Sequence, residues 1–299
     1  MAPSPARLRA RDRILELGGR VWLMGVVNTS PDSFSDVPPI RTVEEQVARA
    51  VALLEAGADI IDVGGESGVT DTAPTPPDAE IARVVPVIER VAGEHGALVS
   101  VDTYKPAVAE AAIAAGARIV NDVSGLRDPE LADVCARTGA ALVVMHTRAA
   151  PKAVRFDSEL DGQAMDAVVG FLRDRIELAA AHGVAEDQIL VDPGPDFTKT
   201  PAQTVELLRH LRPLLDLGRP LLMAISRKDF IGAITGRRPS ERLAGTLAAL
   251  GHVADQGAHV VRLHDVAEAA DFLAVRAVLR GERELSREAR IDPALRWER

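Results

Sequence analysis

Short apolar runs rich in β-branched residues recur along the chain: LMGVV, DIIDV, ALVSV, RIVND, ALVVM, QILVD, PLLMAI and HVVRL. Their unbroken hydrophobicity predicts strands covered on both faces, the signature of a parallel sheet buried under helices. Between them lie Ala- and Leu-rich segments with helical periodicity. Thr42 with Glu45 and Thr200 with Gln203 form capping boxes at two predicted helix starts, and Asp128-Pro129 places a proline in a first turn. The phrases GADI, GALV, GARI, GAAL and GAHV repeat at Gly57, Gly96, Gly116, Gly139 and Gly257. Glycine there can take the left-handed conformation that stops a helix before the next strand enters.

Eight β-then-α units in about 260 residues predict an α/β fold, a single-domain (β/α)8 TIM barrel over residues 20–280. Residues 1–19 read as a frayed basic tail and lead-in, and 281–299 as a peripheral C-terminal extension. A doubly wound sheet is the competitor. It would carry a Gly-rich dinucleotide turn, and neither G-x-G-x-x-G nor a G-x-x-x-x-G-K-[ST] phosphate loop occurs.

Charge narrows the function. With 35 Lys and Arg against 44 Asp and Glu, the net charge of -9 leaves no basic surplus for nucleic acid. Any anionic ligand must be held by a few placed cations or by helix ends. The single cysteine, Cys135, suits a reducing cytoplasm, and no Cys/His cluster has zinc spacing. No apolar run approaches the ~18 residues of a membrane span, and the N-terminus lacks the apolar segment of a secretion signal. The expected partners are small molecules.

In such a barrel the chemistry collects at the C-terminal ends of the strands. There the sequence places Asn28, Asp62 and Glu66, Asp102, Asn121 and Asp122, His146, Asp192, then Ser226, Arg227 and Lys228, and finally Arg262, His264 and Asp265. One polar residue after a strand is an ordinary helix cap. Asp or Asn at nearly every station, with cations alongside, is not. Asp102, Asn121 and Asp192 suit a flat heterocycle with adjacent N–H donors, such as an aminopyrimidinone edge. Lys228, Arg262 and His264 suit an anion, helped by the helix after the last strand, where Asp265 and Glu268 look like a capping pair. Asn28 offers a neutral oxygen to a hard cation such as Mg²⁺ carried on phosphate.

The stretches MGVVNTSPDSFSDV, GADIIDVGGES, SVDTYKPAVAEAAIAAGARIVNDVSG, DPG, SRKDFIG, RLAGTLAAL and VVRLHDV together resemble the dihydropteroate synthase family, in its order and over roughly residues 22–280. The resemblance implies a pterin-binding (β/α)8 barrel. Its members join 6-hydroxymethyl-7,8-dihydropterin diphosphate to 4-aminobenzoate with Mg²⁺ and release diphosphate. It implies a homodimer, through the last helices. It assigns Asn28 to Mg²⁺ near the diphosphate, and Asp102, Asn121, Asp192 and Lys228 to the pterin. Arg262 and His264 would bind the diphosphate, while Phe197, Ser226 and Arg227 would lie beside the aminobenzoate. Asp102, Arg262 and His264 would serve catalysis. The stretch from Asn28 through Phe34 to Pro38-Pro39 would be a lid over the diphosphate.

Three departures fall on the acceptor side. Gly68, Val69, Thr70 and Asp71 stand where the family has Thr-Arg-Pro-Gly, removing a cation. Asp196 and Thr198 replace two glycines in DPGPDFTK, so that a carboxylate at 196 should repel an anionic acceptor unless Arg148, Lys199 or Arg227 compensates. MHTRAAP lacks the family's usual residues after the histidine. Three other readings stay open: a pterin-binding paralogue with another acceptor or no turnover, a methyltetrahydrofolate-dependent methyltransferase, and a generic phosphate-sugar barrel. Trp22 and Tyr104 read as packing or rim residues and Cys135 as core filling. His95, His182, His210, His252 and His259 read as structural, and His146 as either packing or ligand contact.

Overall fold

A computed structural model describes residues 6–30, 42–67, 72–153 and 161–296. The expected lid residues from Pro31 onward and the departures Gly68 to Asp71 lie outside them. The chain opens with strands β1 (Ala6–Ala10) and β2 (Arg13–Leu17), then enters β3 (Trp22–Asn28). The barrel continues through α1 (Val43–Glu55), β4 (Ile60–Gly64), α2 (Pro77–His95), β5 (Val99–Asp102), α3 (Pro106–Ala114), β6 (Ile119–Asp122), α4 (Glu130–Thr138) and β7 (Ala141–Met145). Next come α5 (Ala164–Ala181), β8 (Ile189–Asp192), α6 (Pro201–Arg209), α7 (Arg212–Leu215) and β9 (Leu222–Ala224). The last elements are α8 (Asp229–Thr235), α9 (Leu243–Gln256), β10 (Val260–Leu263) and α10 (Val266–Leu279).

Strands β3 to β10 pair in parallel in the order β8-β7-β6-β5-β4-β3-β10-β9, and a parallel bridge between Val191 and Leu221 joins the two edges. The structure is the expected TIM barrel, and each of the eight apolar runs overlaps a strand. The five predicted glycine stops all have positive φ, from 62° at Gly96 to 120° at Gly116. The capping boxes of Thr42 and Thr200 are both formed.

Side chains alternate across each strand, and one face of every strand turns into the barrel. Toward the N-terminal end that face is apolar: Met24, Ile60, Ile119, Leu190, Leu222 and Val260 are buried together. Two residues further along the same face come Val26, Asp62, Asn121, Asp192, Ala224 and Arg262. The single alternation that fills the barrel floor therefore delivers the polar set to its mouth.

Residues 6–17 are not a frayed tail. They form an antiparallel hairpin whose Leu8, Ala10, Leu15 and Leu17 pack against the barrel floor. Alternation explains it: ARLRA and RILEL put an apolar side chain at every second position, with Arg7, Ile14 and Glu16 facing out. Arg9 adds a pair to Asp187 and a bond to Gln188, and the Arg11 amide donates to Gly139 O at 2.7 Å. A (β/α)8 barrel leaves the apolar lower ends of its strands uncovered, and this hairpin covers them.

Candidate active site

At the C-terminal mouth a cleft of about 740 Å³ is lined by Asn28, Asp102, Asn121, Asp192, Phe197, Arg227, Lys228, Arg262 and His264, among others. Of the residues to which the resemblance gives a role, all but Ser226 reach it directly, while Asp62, Asp122, His146 and Asp265 at the strand ends do not line it. Ser226 lies beneath His264, with its Oγ 3.0 Å from His264 Nδ1 and 3.2 Å from the His264 amide.

The centre of the cleft is a charge cluster. Arg262 donates through Nε to Asp62 Oδ2 at 2.6 Å and through Nη2 to Asp102 Oδ2 at 2.8 Å. Those bonds use two of the five donors of a guanidinium. Asn121 Nδ2 donates to the same Asp62 oxygen at 3.1 Å, and Asp62 Oδ1 is buried with no hydrogen-bond partner. Asp62 is thus a hub between the expected pterin and diphosphate residues. Its strand position was legible in the sequence, but nothing local marks its link to Arg262. Burial pushes Asp102 up to about 7 against the pull of Arg262. Asp192 accepts from the Gly194 amide at 2.7 Å, and burial lifts its carboxyl to about 6.

His264 is not a cation. Burial, reinforced by Arg262 and Arg227, pulls its imidazole down to about 3, so it is neutral at physiological pH. Asp265 does not cap α10. Its carboxylate is held by Arg227, with Nε to Oδ2 at 3.1 Å and Nη2 to Oδ1 at 2.5 Å. Arg227 therefore meets any incoming carboxylate already paired. Asp122, beside Asn121, is a structural residue, because its two oxygens accept from the amides of Ser124 and Leu126.

The two departures in the turn after β8 have physical explanations. Asp196 has φ 64° and Thr198 φ 55°, the left-handed region where glycine is the easy choice. Asp196 is held there by its own side chain. Oδ2 accepts from the amides of Asp229 and Phe230 at the head of α8, and Oδ1 accepts from Thr204 Oγ1 at 2.9 Å. Its charge is spent on capping a helix rather than on repelling an acceptor. Thr198 Oγ1 accepts from the Arg148 amide at 3.1 Å. Phe197 lies between them, its ring centroid 4.4 Å from Lys228 Nζ. Burial lowers the pKa of Lys228, while Asp196 and Asp192 raise it.

Lys199 lies beneath this turn at 1% exposure. Its Nζ is 2.8 Å from His146 Nδ1 and donates to Gly194 O at 2.8 Å and Phe197 O at 2.9 Å. Burial draws the Lys199 ammonium down to about 7 and the His146 imidazole down to about 3. Gly194 has φ 62°, and a Cβ there would run into the His146 carbonyl.

A second ionic group closes the rim. Lys105 Nζ bridges Glu66 and the buried Glu80, Tyr104 Oη donates to Glu66 Oε1 at 3.0 Å, and Lys152 donates to Ser67 O. Tyr104 is thus the rim residue expected of it. Lys105 and Lys152 carry no sequence signal, since each reads as a surface lysine until the fold sets it against Glu66.

Among the described residues no three His, Cys, Asp or Glu side chains form a metal cluster. Asn28, half-buried at the end of β3, offers one neutral oxygen beside the cleft. That suits an ion such as Mg²⁺ that keeps most of its shell in water and substrate phosphate, and not one held by protein alone.

Residues 24–264 match the family described as pterin binding enzyme. A dihydropteroate synthase of Synechocystis is 36% identical over 273 residues, covering 91% of this chain and 94% of that protein. The inactive dihydropteroate synthase 2 of Mycobacterium tuberculosis is 40% identical, covering 91% of this chain and 87% of that protein. A probable bifunctional folylpolyglutamate synthase/dihydropteroate synthase of Haloferax volcanii is 42% identical over 82% of this chain, which spans 29% of its length. Among solved structures, Xanthomonas albilineans dihydropteroate synthase with 4-aminobenzoic acid superposes with a TM-score of 0.84 at 42% identity, covering 93% of this chain and 99% of that one. With a family match across residues 24–264 of its 299 and full-length relatives at such identity, the chain belongs to the pterin-binding enzymes, beside the dihydropteroate synthases.

Proposed function

We propose that the chain is a dihydropteroate synthase, condensing 6-hydroxymethyl-7,8-dihydropterin diphosphate with 4-aminobenzoate to give 7,8-dihydropteroate and diphosphate. The single observation that carries this is the cleft itself. Carboxyl and amide groups from β5, β6 and β8 line one cleft together with Lys228, Arg262 and His264, a set that supports recognition of a heterocycle and an anion side by side. A pure binding module would need only the first half, and a methyltransferase has no diphosphate to hold.

In this reading Asn121, Asp192 and Asp102 accept the pterin's N–H groups, and the half-buried Lys228 bonds to its carbonyl edge. A carboxylate accepting paired N–H groups fixes the plane of the ring. As the C–O bond to diphosphate stretches, negative charge builds on the leaving oxygens and positive charge on the pterin methylene. Arg262 stabilises the first. Asp102 stabilises the second electrostatically, which is why its ionised form is the active one. His264 contributes as a neutral donor in the tautomer that carries its proton on Nε2 and accepts the Ser226 hydroxyl, 3.0 Å away, at Nδ1. The amine attacks from the opposite side, and holding the two reactants in line removes much of the entropic barrier. The product ammonium loses its proton to solvent, so no dedicated base is needed. Mg²⁺, when bound near Asn28 on the diphosphate, supplies further charge neutralisation to the leaving group. The acceptor lies against Phe197, with Arg227 on that side.

The reading includes a cytoplasmic location and a homodimer through the last helices. The dimer is supported by α10, which exposes Val275 at 60% and Leu279 at 82%. Light scattering that finds only a monomer would count against it.

The test is diphosphate release from the pterin diphosphate with Mg²⁺, with and without 4-aminobenzoate. Release that depends on 4-aminobenzoate, with dihydropteroate formed, is the expected result. A second reading, a paralogue that binds pterin without turnover, is favoured by the 40% identity to a relative called inactive. Tight pterin binding with no acceptor-dependent release would establish that reading instead.

A further inference from the structure

We propose that Lys199 is a positioning residue for the transfer: by tying His146 to carbonyls within the turn at 193–199, it holds Phe197 at the acceptor end of the cleft. The proposal rests on the reaction assigned above.

Lysines are rarely buried without a reason, because removing an ammonium from water costs far more than its alkyl chain gains by packing. At this position a methionine would fill the same space at no such cost. The polar end must therefore be what matters. An ammonium has three donors and no acceptor. Here three acceptors surround it within 2.9 Å: His146 Nδ1, Gly194 O and Phe197 O. Two belong to the turn and the third to the residue that follows β7, so the lysine ties one strand exit to the next.

The turn needs such a tie. Asp196 and Thr198, on either side of Phe197, both hold left-handed backbone that their side chains disfavour. Conformations of this kind persist only where the surroundings over-determine them. Asp196 anchors the turn outward to α8, Thr198 anchors it sideways to the Arg148 amide, and Lys199 anchors it from below. Phe197, at 36% exposure, is the most exposed of the turn residues that line the cleft. Its ring is then set at one point relative to Lys228, which faces the pterin side. His146, T-shaped against Phe171 with ring centroids 4.9 Å apart, is itself held from behind and gives the lysine a fixed post.

The experiment compares Lys199→Met, His146→Leu, the double variant and His146→Asn, whose Oδ1 stands close to where the imidazole Nδ1 was. Steady-state kinetics and calorimetric titration with the pterin diphosphate are run on each. Lys199→Met should raise the KM for 4-aminobenzoate by about tenfold or more, with kcat at saturating acceptor and pterin Kd within about threefold. His146→Leu should do the same, the double variant should be no worse than either single one, and His146→Asn should restore most of the wild-type KM. An unchanged acceptor KM in Lys199→Met overturns the proposal, as does a collapse of pterin affinity together with kcat. If Lys199→Met does not fold, the two His146 variants read the tie from its other end. A wild-type chain that binds pterin without turning over would sink the assigned reaction and not this proposal. The tie is then read by hydrogen exchange at the amides of 196–198. Exchange faster by about tenfold in Lys199→Met supports it, and unchanged rates refute it.

Discussion

Replacing Arg262 by leucine should cost more stability than any other single change at the cleft, and the cost should grow with pH. The guanidinium is the shared counter-ion of Asp62 and Asp102, bonded at 2.6 and 2.8 Å. The Asp62 side chain is fully buried and that of Asp102 is 24% exposed, so water can compensate only the second. Removing one partner of a buried pair costs about 3–5 kcal/mol. With Asp102 partly solvated, about 3–4 kcal/mol is expected here. At roughly 2 °C per kcal/mol for a chain of this size, Tm should fall by about 6–8 °C. The sign of the pH dependence follows from Asp102. Its folded pKa of about 7 lies above its ordinary 3.8, so between those values the folded protein keeps a proton that the unfolded chain has lost. Its contribution is therefore fully present below pH 4 and is lost as pH rises through 7. Arg262 pulls that pKa down, and without it the loss deepens. Urea unfolding of Arg262→Leu against wild type at pH 5, 6.5 and 8 measures the difference. A loss under about 1 kcal/mol, or one that stays flat across this range, would refute the shared counter-ion argument.

Three further expectations follow from the same geometry. In the kcat/KM profile the acid limb should fall near pH 6–7, where Asp192 and Asp102 protonate. Asp102→Asn should displace that limb and His264→Gln should not; a limb that moves with His264 would mean the imidazole titrates after all. Asp196→Gly should destabilise by about 1 kcal/mol, a lost helix cap and a lost Thr204 bond of about 1 kcal/mol each set against about 1 kcal/mol of relieved backbone strain. A more stable variant in urea would show that the carboxylate does not hold the turn. Deleting residues 1–18 uncovers the floor and strips away Leu8, Leu15 and Leu17, each worth about 1.5–3 kcal/mol when buried. The truncated chain should lose at least about 5 kcal/mol or fail to stay soluble, and unchanged thermal unfolding would remove the floor-plate role.

Much of this protein was readable without its structure, because the readable features are local. A buried parallel strand must be apolar along its length, a helix must be capped at its start and released at its end, and both demands fall on consecutive residues. The eight runs, the capping boxes at Thr42 and Thr200 and the glycines from Gly57 to Gly257 therefore located the barrel. The alternation of side chains then placed Asp102, Asn121, Asp192 and Arg262 at one mouth. The hairpin at residues 6–17 obeys the same alternation, and its arginines hid it. What only the tertiary structure decided is who pairs with whom. Arg262 meets Asp62 from 200 residues away, Asp196 caps a helix that begins 33 residues later, and Lys199 finds His146 across 53 residues. Whether His264 is charged, whether Asp196 repels and whether Lys199 is exposed all depend on those partners and on the water they exclude. Barrel closure sets both, and no stretch of sequence contains it.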